Sequence, residues 1–447
     1  MKWNRGVRLP VLCVPFLVVG IGKAAVTSNS TPTPQELNRV MRHGDATKAE
    51  AVATALKVGP GVVRMIKAQL DYNLPGLSNL LKDCRDAALR HNAISSALNC
   101  NRGAASVALV MGDARGYFQA LDWTKNIGFP AIARSRQGRK PKFGKPFNDV
   151  DLDKLAKSLP PLSATLSVGS ASLDYSHPLY MVLEDNGNRQ TTYGTKGVGA
   201  IPEVSTEIDG KPVQALVDTG TSYFLTMDQT QAKALGVKIL VAGLPAIATM
   251  GKAPGKGSTS FGLIDRLVFG PLTVNNAMAI VVPTGSFPGP GVLVGLPLLA
   301  RFKQVEFDQS RLVLDAAASV CKYPLALAFA SSPAEDGKLV FAAKANGKPV
   351  KASIDTGSGA PLIASPSLMA SSTAGNAAAP PTTTALATPS HRHLEVQFGN
   401  SRFSYNDPPV IPALSVPDVV IGAPILEGWN VRFDFSKPSL CLIPRHS

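Results

Sequence analysis

The sequence contains the tripeptide Asp-Thr-Gly twice, each time at the end of an apolar, β-branched run. The first copy starts at Asp218 and the second at Asp355, an offset of 137 residues. A carboxylate at the tip of a loop after a buried strand is held rigidly, with little water behind it. Two such carboxylates within hydrogen-bond reach share one proton, so that one is neutral and one is charged. The charged one can take a proton from a water molecule, which predicts acid–base catalysis at this pair.

The flanking sequence indicates that both tripeptides belong to a duplicated folding unit. Residues 210–221 align without gaps with residues 347–358. Further along, an apolar-apolar-Gly segment that ends at Gly295 recurs at Gly422. A single Asp-Thr-Gly is also ordinary turn chemistry, but two copies inside matched units favour a duplication over a pair of unrelated turns.

The other residues of the two loops have expected supporting roles. Each threonine can place its hydroxyl in a hydrogen bond across the axis that relates the units, and each glycine permits a tight turn. The hydroxyl at the next position could bond to the neighbouring aspartate. The predicted supporting residues are Thr219, Gly220, Thr221, Thr356, Gly357 and Ser358.

These motifs resemble those of the aspartic peptidases of the pepsin and retropepsin type: Val217–Ser222 with Leu293–Gly295, and Ile354–Ser358 with Val420–Gly422. The resemblance covers roughly residues 197–444. It implies a mainly β, bilobal pseudo-dimer of two β-barrel-like units, in which Asp218 and Asp355 form the catalytic dyad. It also implies that Gly295 and Gly422 lie in psi-shaped loops behind the catalytic loops.

The same resemblance implies hydrolysis of peptide bonds by a water molecule held between the two aspartates, without a metal or another cofactor. The expected partner is a peptide or protein substrate, and the two units in one chain would let a monomer work alone. A pepsin-type flap carries a tyrosine, whereas residues 243–261, where the first flap is expected, contain none. In the second unit, the matching stretch is an Ala/Thr/Pro-rich insertion at residues 370–390.

Two other hypotheses stay open. The chain could be an inactive binding or scaffold protein that keeps the peptidase fold and works through its helical N-terminal region, since fold alone does not fix function. Alternatively, an active enzyme could pair its units between two chains. A Ser/His/Asp hydrolase is disfavoured, because no Gly-x-Ser-x-Gly stands in a strand-turn-helix setting.

Apolar spacing and turn residues divide the chain into five predicted regions. In chain order they are a signal peptide (1–25), an α-helical domain (31–130), a basic linker (131–160), a first lobe with leading strands (161–325) and a second lobe (330–447). Within the helical domain, Gly44-Asp45-Ala46 recurs as Gly112-Asp113-Ala114, at twice the roughly 34-residue period of tetratricopeptide arrays. Such an array would bind a protein partner, and a plain helical domain fits the sequence equally well.

Charge and the N-terminus indicate the compartment. The net charge of +14 marks a basic surface, but no nucleic-acid module accompanies it, so no specific nucleic-acid partner is predicted. Lys2, Arg5 and Arg8 precede an apolar stretch and small residues, as in a signal peptide, with an uncleaved membrane anchor as the alternative. We therefore expect an exported protein, either periplasmic or secreted.

Four cysteines would remain after removal of the signal peptide, an even number that suits an oxidising compartment. The candidates for disulfides are Cys84, Cys100, Cys321 and Cys441. A bridge between the last two could tie the lobes together, although more than one connectivity is open. None of them has Cys-x-x-Cys spacing, and we predict no metal site.

Overall fold

The computed structural model describes residues 32–42, 46–136, 147–167, 169–176, 183–185, 188–190, 201–244, 258–286, 289, 291–315, 321, 323–332, 335–373, 393–398, 401–406, 408, 410 and 417–445. The predicted signal peptide, the tip of the predicted first flap and the Ala/Thr/Pro-rich insertion from residue 374 lie outside these ranges. In the part of the chain that is described, no helix combines the length and apolarity needed to cross a bilayer.

The fold is mainly β with an α-helical N-terminal region, as predicted. The N-terminal helices are α1 Pro34–Arg42, α2 Ala46–Ala55, α3 Pro60–Leu70, α4 Leu74–Arg90, α5 Ile94–Val110, α6 Ala114–Trp123, a π turn Thr124–Gly128, α7 Phe129–Arg136 and α8 Leu152–Ser158. The later helices are α9 Gln229–Leu235, α10 Leu296–Leu299 and α11 Pro366–Thr373, with a 3-10 turn at Ala423–Glu427.

The strands follow α8. They are β1 Ser163–Leu166, β2 Ala171–Asp174, β3 Leu183–Asp185, β4 Asn188–Gln190, β5 Glu203–Ile208, β6 Lys211–Asp218, β7 Leu225–Asp228, β8 Lys238–Leu244, β9 Thr259–Phe269, β10 Leu272–Val282, β11 Val292–Gly295, β12 Gln304–Phe307, β13 Arg311–Leu314, β14 Leu325–Ala326, β15 Ala328–Ser332, β16 Glu335–Ala345, β17 Lys348–Asp355, β18 Leu362–Ala364, β19 His393–Phe398, β20 Ser401–Asn406, β21 Val419–Gly422, β22 Trp429–Asp434 and β23 Ser439–Pro444.

The helices do not show the 34-residue period of a tetratricopeptide array. The starts of α4, α5 and α6 are 20 residues apart, at positions 74, 94 and 114. Gly112 takes a left-handed conformation at the end of α5, and the Asp113 carboxylate caps α6 by accepting from the Gly116 amide. The second Gly-Asp-Ala therefore forms a helix-to-helix turn, whereas Gly44 and Asp45 of the first copy lie outside the described residues.

The predicted basic linker, residues 131–160, contains helix at both of its described ends, and its residues 137–146 lie outside the described part of the chain. Helix α7 continues to Arg136, and α8 is buried against the helical region and the first unit. Leu152, Ala156 and Leu159 are each at most 3% exposed. Their spacing of four and three residues is that of one face of a helix. The sequence pattern predicted a linker instead, because of the basic residues that precede α8.

Both peptidase-like units have the same strand order. In the first, β10, β7, β11, β6, β5 and β9 follow one another in a sheet that closes through the pairing of β9 with β10. In the second, the corresponding order is β18, β21, β17, β16, β19 and β20. A parallel bridge between Ala364 and Val410 stands where β7 pairs with β10 in the first unit. The second unit has no described counterpart of β8, because the insertion lies at that point of the chain.

A six-stranded sheet joins the two units. Strand β12 of the first unit pairs antiparallel with β22 of the second, from Gln304 opposite Asp434 to Phe307 opposite Val431. A disulfide between Cys321 and Cys441 lies beside this sheet. A second disulfide, between Cys84 and Cys100, links α4 to α5. The Cys321–Cys441 disulfide is the one that the sequence analysis suggested could tie the lobes together.

The helical region packs against both units. Phe118 and Tyr117 of α6 contact Phe261 of β9, with ring centroids 6.2 and 5.3 Å apart. The Met278 amide of β10 donates to the Gly112 carbonyl oxygen at 2.7 Å. On the other side, the Tyr72 ring lies 5.0 Å from that of Phe329 in β15. The helices therefore form one folded body with the β units.

Candidate active site

The chain topology brings Asp218 and Asp355 to equivalent places. Asp218 ends β6 and lies opposite Gly295 of the parallel strand β11. Asp355 ends β17 and lies opposite Gly422 of the parallel strand β21. Each aspartate thus stands at the carboxyl end of a buried strand, with an apolar-apolar-Gly strand running beside it.

The two strand-end glycines permit a close crossing behind each loop. A β-carbon added to Gly295 would overlap the Tyr223 carbonyl oxygen, and one added to Gly422 would overlap that of Ala360. The next amide on each strand donates to a loop carbonyl, Leu296 to Thr221 at 3.1 Å and Ala423 to Ser358 at 2.8 Å. The strand ends at Gly295 and Gly422, where the resemblance implied psi-shaped loops, thus fix the two Asp-Thr-Gly loops from behind.

The threonines form reciprocal hydrogen bonds across the axis between the units. The Thr219 amide donates to Thr356 Oγ1 at 3.0 Å, and the Thr356 amide donates to Thr219 Oγ1 at 3.1 Å. Each hydroxyl in turn donates to a carbonyl oxygen of the opposite unit, Thr219 to Ile354 at 2.9 Å and Thr356 to Val217 at 2.7 Å. All of these groups are buried, so the two loops are held in one fixed relation.

The two carboxyl groups meet in the centre of this arrangement. Each carboxylate lies against the loop glycine of the opposite unit, and both side chains are buried, with Asp218 9% and Asp355 2% exposed. Each accepts a backbone bond within its own loop, Asp218 from Gly220 at 2.6 Å and Asp355 from Gly357 at 3.1 Å. A β-carbon on either glycine would overlap the carboxylate of the opposite unit. Glycine is therefore required for the two acids to approach.

Burial and the neighbouring Asp355 carboxylate raise the pKa of Asp218 well above the usual range of an aspartic acid. The hydrogen bond from the Gly220 amide and the charge of Lys338 act in the opposite direction. Since burial is the largest of these effects, Asp218 holds a proton at pH values where a solvated aspartate is ionised. The site can therefore present one neutral and one charged carboxyl group to a water molecule.

The proposed bonds from Thr221 and Ser358 to the aspartates are not formed. Among the described residues, no hydrogen bond joins either hydroxyl to Asp218 or Asp355. The Thr221 methyl group points towards Gly295, because the side chain packs against the psi loop. Both residues support the loops through their carbonyl oxygens instead.

Sequence reasoning missed Lys338, whose charge acts on the dyad. A signal was present in the duplication: Lys338 is 17 residues before Asp355, and Ile201 is 17 residues before Asp218. Aligning the two units on their aspartates would have placed a cation, Lys338, and an apolar residue, Ile201, at equivalent positions.

Comparison with known proteins adds a family to this geometry. Residues 204–298 match the family model described as "Aspartyl protease", a range that includes Asp218 and Gly295. No curated protein sequence matches the chain.

Two solved structures resemble the fold of this chain, with low TM-scores and low sequence identity. A retropepsin-like aspartic protease from Rickettsia conorii is 16% identical with a TM-score of 0.24, over 35% of this chain and 96% of that one. Basic 7S globulin from soybean is 13% identical with a TM-score of 0.33, over 55% of this chain and 93% of that one. These scores are too low to add weight to the family match. The resemblance to aspartic peptidases is confirmed by the family model, which matches residues 204–298.

Proposed function

We propose that this protein is an aspartic endopeptidase that hydrolyses peptide bonds with Asp218 and Asp355. One observation carries the proposal: the two carboxyl groups are buried together at equivalent ends of two duplicated strands, each against the loop glycine of the opposite unit. The threonine bonds across the axis hold them there. A pair of acids in this geometry is suited to activating water.

In the proposed reaction, Asp355 is the charged member and Asp218 the neutral one, in keeping with the raised pKa of Asp218. Asp355 takes a proton from the water as the water oxygen attacks the scissile carbonyl carbon. Asp218 gives its proton to the carbonyl oxygen, which yields a neutral tetrahedral diol. Asp355 then passes its proton to the amide nitrogen, the C–N bond breaks, and the proton of one diol hydroxyl returns to Asp218 as the carboxylic acid product forms. Atoms and charge balance, and the dyad ends as it began.

Cleavage of a mixed peptide library by the purified full chain tests this function. We expect Asp218→Asn and Asp355→Asn each to reduce kcat/KM by a factor of about 10³ or more, since groups that act as a unit fail together. Both variants should keep the wild-type circular dichroism. The matched control is Asp174→Asn on β2, an exposed aspartate, which should cleave like the wild type. Substantial turnover in either dyad variant would exclude the assignment and would leave the inactive scaffold as the better hypothesis.

We also propose that one chain suffices for activity. Both loops come from the same chain, and β12 and β22 join the units through an internal sheet. An equimolar mixture of Asp218→Asn and Asp355→Asn chains should therefore stay inactive. Recovery of activity on mixing would show that loops from different chains assemble a complete dyad.

Export to the periplasm or beyond the cell is a further part of the proposal. Its support is the pair of disulfides, Cys84 with Cys100 and Cys321 with Cys441, since such bonds persist in oxidising compartments. Cell fractionation should recover the protein outside the cytosol with no free thiol among these four. Reduced protein in the cytosolic fraction would contradict it.

A further inference from the structure

The Asp218 loop ends in two aromatic residues, Tyr223 and Phe224, which come just before β7. The Phe224 carbonyl oxygen accepts a hydrogen bond from the Gly295 amide at 3.2 Å. The Tyr223 carbonyl oxygen lies where a β-carbon of Gly295 would be. Gly295 is also the residue opposite Asp218 in the parallel pairing of β11 with β6. The two aromatic residues therefore belong to the close crossing that holds the strand end of Asp218.

The turn between α5 and α6 lies directly against Phe224. A β-carbon added to Gly112 would be 3.1 Å from Phe224 Cβ and Cγ and 3.2 Å from Cδ1, and Phe224 is 1% exposed. The turn is itself fixed to β10, because the Met278 amide donates to the Gly112 carbonyl oxygen and Asp113 forms an antiparallel bridge with Ala277. A side chain at position 112 would therefore displace Phe224 more easily than it would displace the turn.

Two further contacts join this end of the loop to the helical region. Tyr223 packs against the apolar cluster that α5 and α6 share with β9 and β10. The Arg301 guanidinium carbon lies 6.0 Å from the centroid of the Phe224 ring, within the range of a cation–π contact. Burial lowers the pKa of Arg301, and the negative charge of Asp113 in the α5–α6 turn opposes this effect. The helices thus act on the ring through apolar packing and through charge.

The second unit holds the equivalent part of its loop differently. Ala360 and Pro361 stand 137 residues after Tyr223 and Phe224. The backbone crossing is the same, because the Gly422 amide donates to the Pro361 carbonyl oxygen at 3.1 Å. A proline ring fixes its own φ angle, so this loop carries a local restraint. The first loop has aromatic side chains at these positions, and their placement depends on what packs against them.

We propose that the helical region takes part in catalysis by positioning the Asp218 loop, with Gly112 and Phe224 as the positioning residues. The contact between them would hold Asp218 in place against the Asp355 loop, as Pro361 helps to do from within the second loop. The proposal rests on the peptidase function proposed above and gives that function a requirement for the helices. Both residues act through the loop and not on the substrate.

The pH profile of kcat/KM reports the placement of Asp218. A pair of acids that shares one proton loses activity when both ionise, which gives the profile an upper limb. Burial is the largest cause of the raised pKa of Asp218, so a displaced loop that admits water moves this limb to lower pH. A smaller fraction of folded protein lowers the rate at every pH and leaves the limb in place. The charged groups that act on Asp218, Asp355 and Lys338, stay unchanged in the variants below.

The test compares Gly112→Ala with the wild type, as full chains, on one peptide found in the library. We expect kcat/KM to fall by a factor of about 10 to 10², as small misplacements of catalytic groups cost, and the upper limb to move to lower pH. The matched control is Gly236→Ala. Gly236 ends α9 with a φ of 80°, close to the 73° of Gly112, but no atom lies within 4 Å of its added β-carbon. The control carries the same backbone strain and should keep the wild-type rate and limb.

If Gly112→Ala does not fold by circular dichroism, Phe224→Leu is compared with Phe269→Leu. Phe269 is 0% exposed and belongs to the same apolar cluster as Phe224, so both substitutions remove a buried ring. Only Phe224→Leu should move the upper limb. A folded Gly112→Ala or Phe224→Leu that keeps the wild-type limb would overturn the proposal, whatever its rate, and would leave the peptidase function intact. A wild type that cleaves no peptide would overturn both.

Discussion

At the scale of single residues, the dyad and its threonines follow from two tripeptides. The direction of the Thr219 and Thr356 bonds was predictable, because a hydroxyl beside a symmetry axis can reach only the opposite loop. The direction of the Thr221 side chain was not, because it depends on the psi loop that packs against it. Short-range sequence patterns specify backbone turns better than they specify side-chain contacts made later in the chain.

The raised pKa of Asp218 gives a prediction for stability. An acid whose pKa is higher in the folded than in the unfolded chain binds its proton more tightly when folded. Its contribution to the free energy of unfolding is complete below about pH 4, the pKa of an unfolded aspartate, and is lost as the pH rises towards the folded pKa. The asparagine in Asp218→Asn does not titrate, so this variant does not lose stability in that way as the pH rises. The variant should therefore gain stability relative to the wild type between pH 4 and neutrality.

Urea unfolding of both proteins at several pH values measures the difference. Asp174→Asn, which changes an exposed carboxylate, serves as the control for removing one negative charge. If the free energies of unfolding of the wild type and of Asp218→Asn change in parallel over the whole pH range, Asp218 does not hold the extra proton.

At the scale of elements, the sequence predicted the recurrence of an apolar-apolar-Gly segment in each unit but misjudged the segment between helices and strands. The apolar-apolar-Gly segments matched β11 and β21 because their period and their terminal glycine are local features. Helix α8 was hidden because a basic stretch before it resembled a linker, whereas its buried face is defined by contacts with α6 and β9. Burial by partners distant in sequence is not visible in composition.

The psi-loop glycines give the element-scale prediction. Gly295→Ala places a β-carbon against the Tyr223 carbonyl oxygen, so that β11 must move away from the Asp218 loop. We expect a loss of about 1–3 kcal/mol in the free energy of unfolding, as overpacking usually costs, together with lower turnover. Gly428→Ala is the control, because no atom lies within 4 Å of its added β-carbon. Equal effects of the two substitutions in thermal unfolding would show that the close crossing is unimportant.

At the scale of the whole molecule, the helical region is an integral part of the peptidase fold. The apolar face of β9 and β10 that would otherwise be exposed is covered by α6 and α8 through Phe118 and Leu152, and by Phe147 just before α8. On the other unit, Tyr72 packs against Phe329 and Phe435. The sequence predicted the helices but not this docking, because no local pattern states which surface a helix face will cover.

Phe118→Ala tests the docking. Phe118 is 0% exposed between α6 and β9, and truncation of such a side chain costs about 3–5 kcal/mol. The apolar cluster around Phe118 contains residues of both the helical region and the first unit. We therefore expect the two to unfold together, at a lower temperature than in the wild type, when followed by circular dichroism and tryptophan fluorescence. Ile127→Ala, at a side chain that is 47% exposed, should leave the transition unchanged. A helical region that melts separately, with peptide cleavage retained, would contradict the account.

The pH dependence of kcat/KM for one cleaved peptide tests the shared proton most directly. A dyad that works with one neutral and one charged carboxyl group must lose activity at low pH, when both are protonated, and at higher pH, when both are ionised. We therefore predict a bell-shaped profile whose upper limb lies above the ordinary pKa of an aspartic acid, since that of Asp218 is raised. A rate that rises through neutral pH to a plateau, with no alkaline limb, would contradict a proton held between the two aspartates.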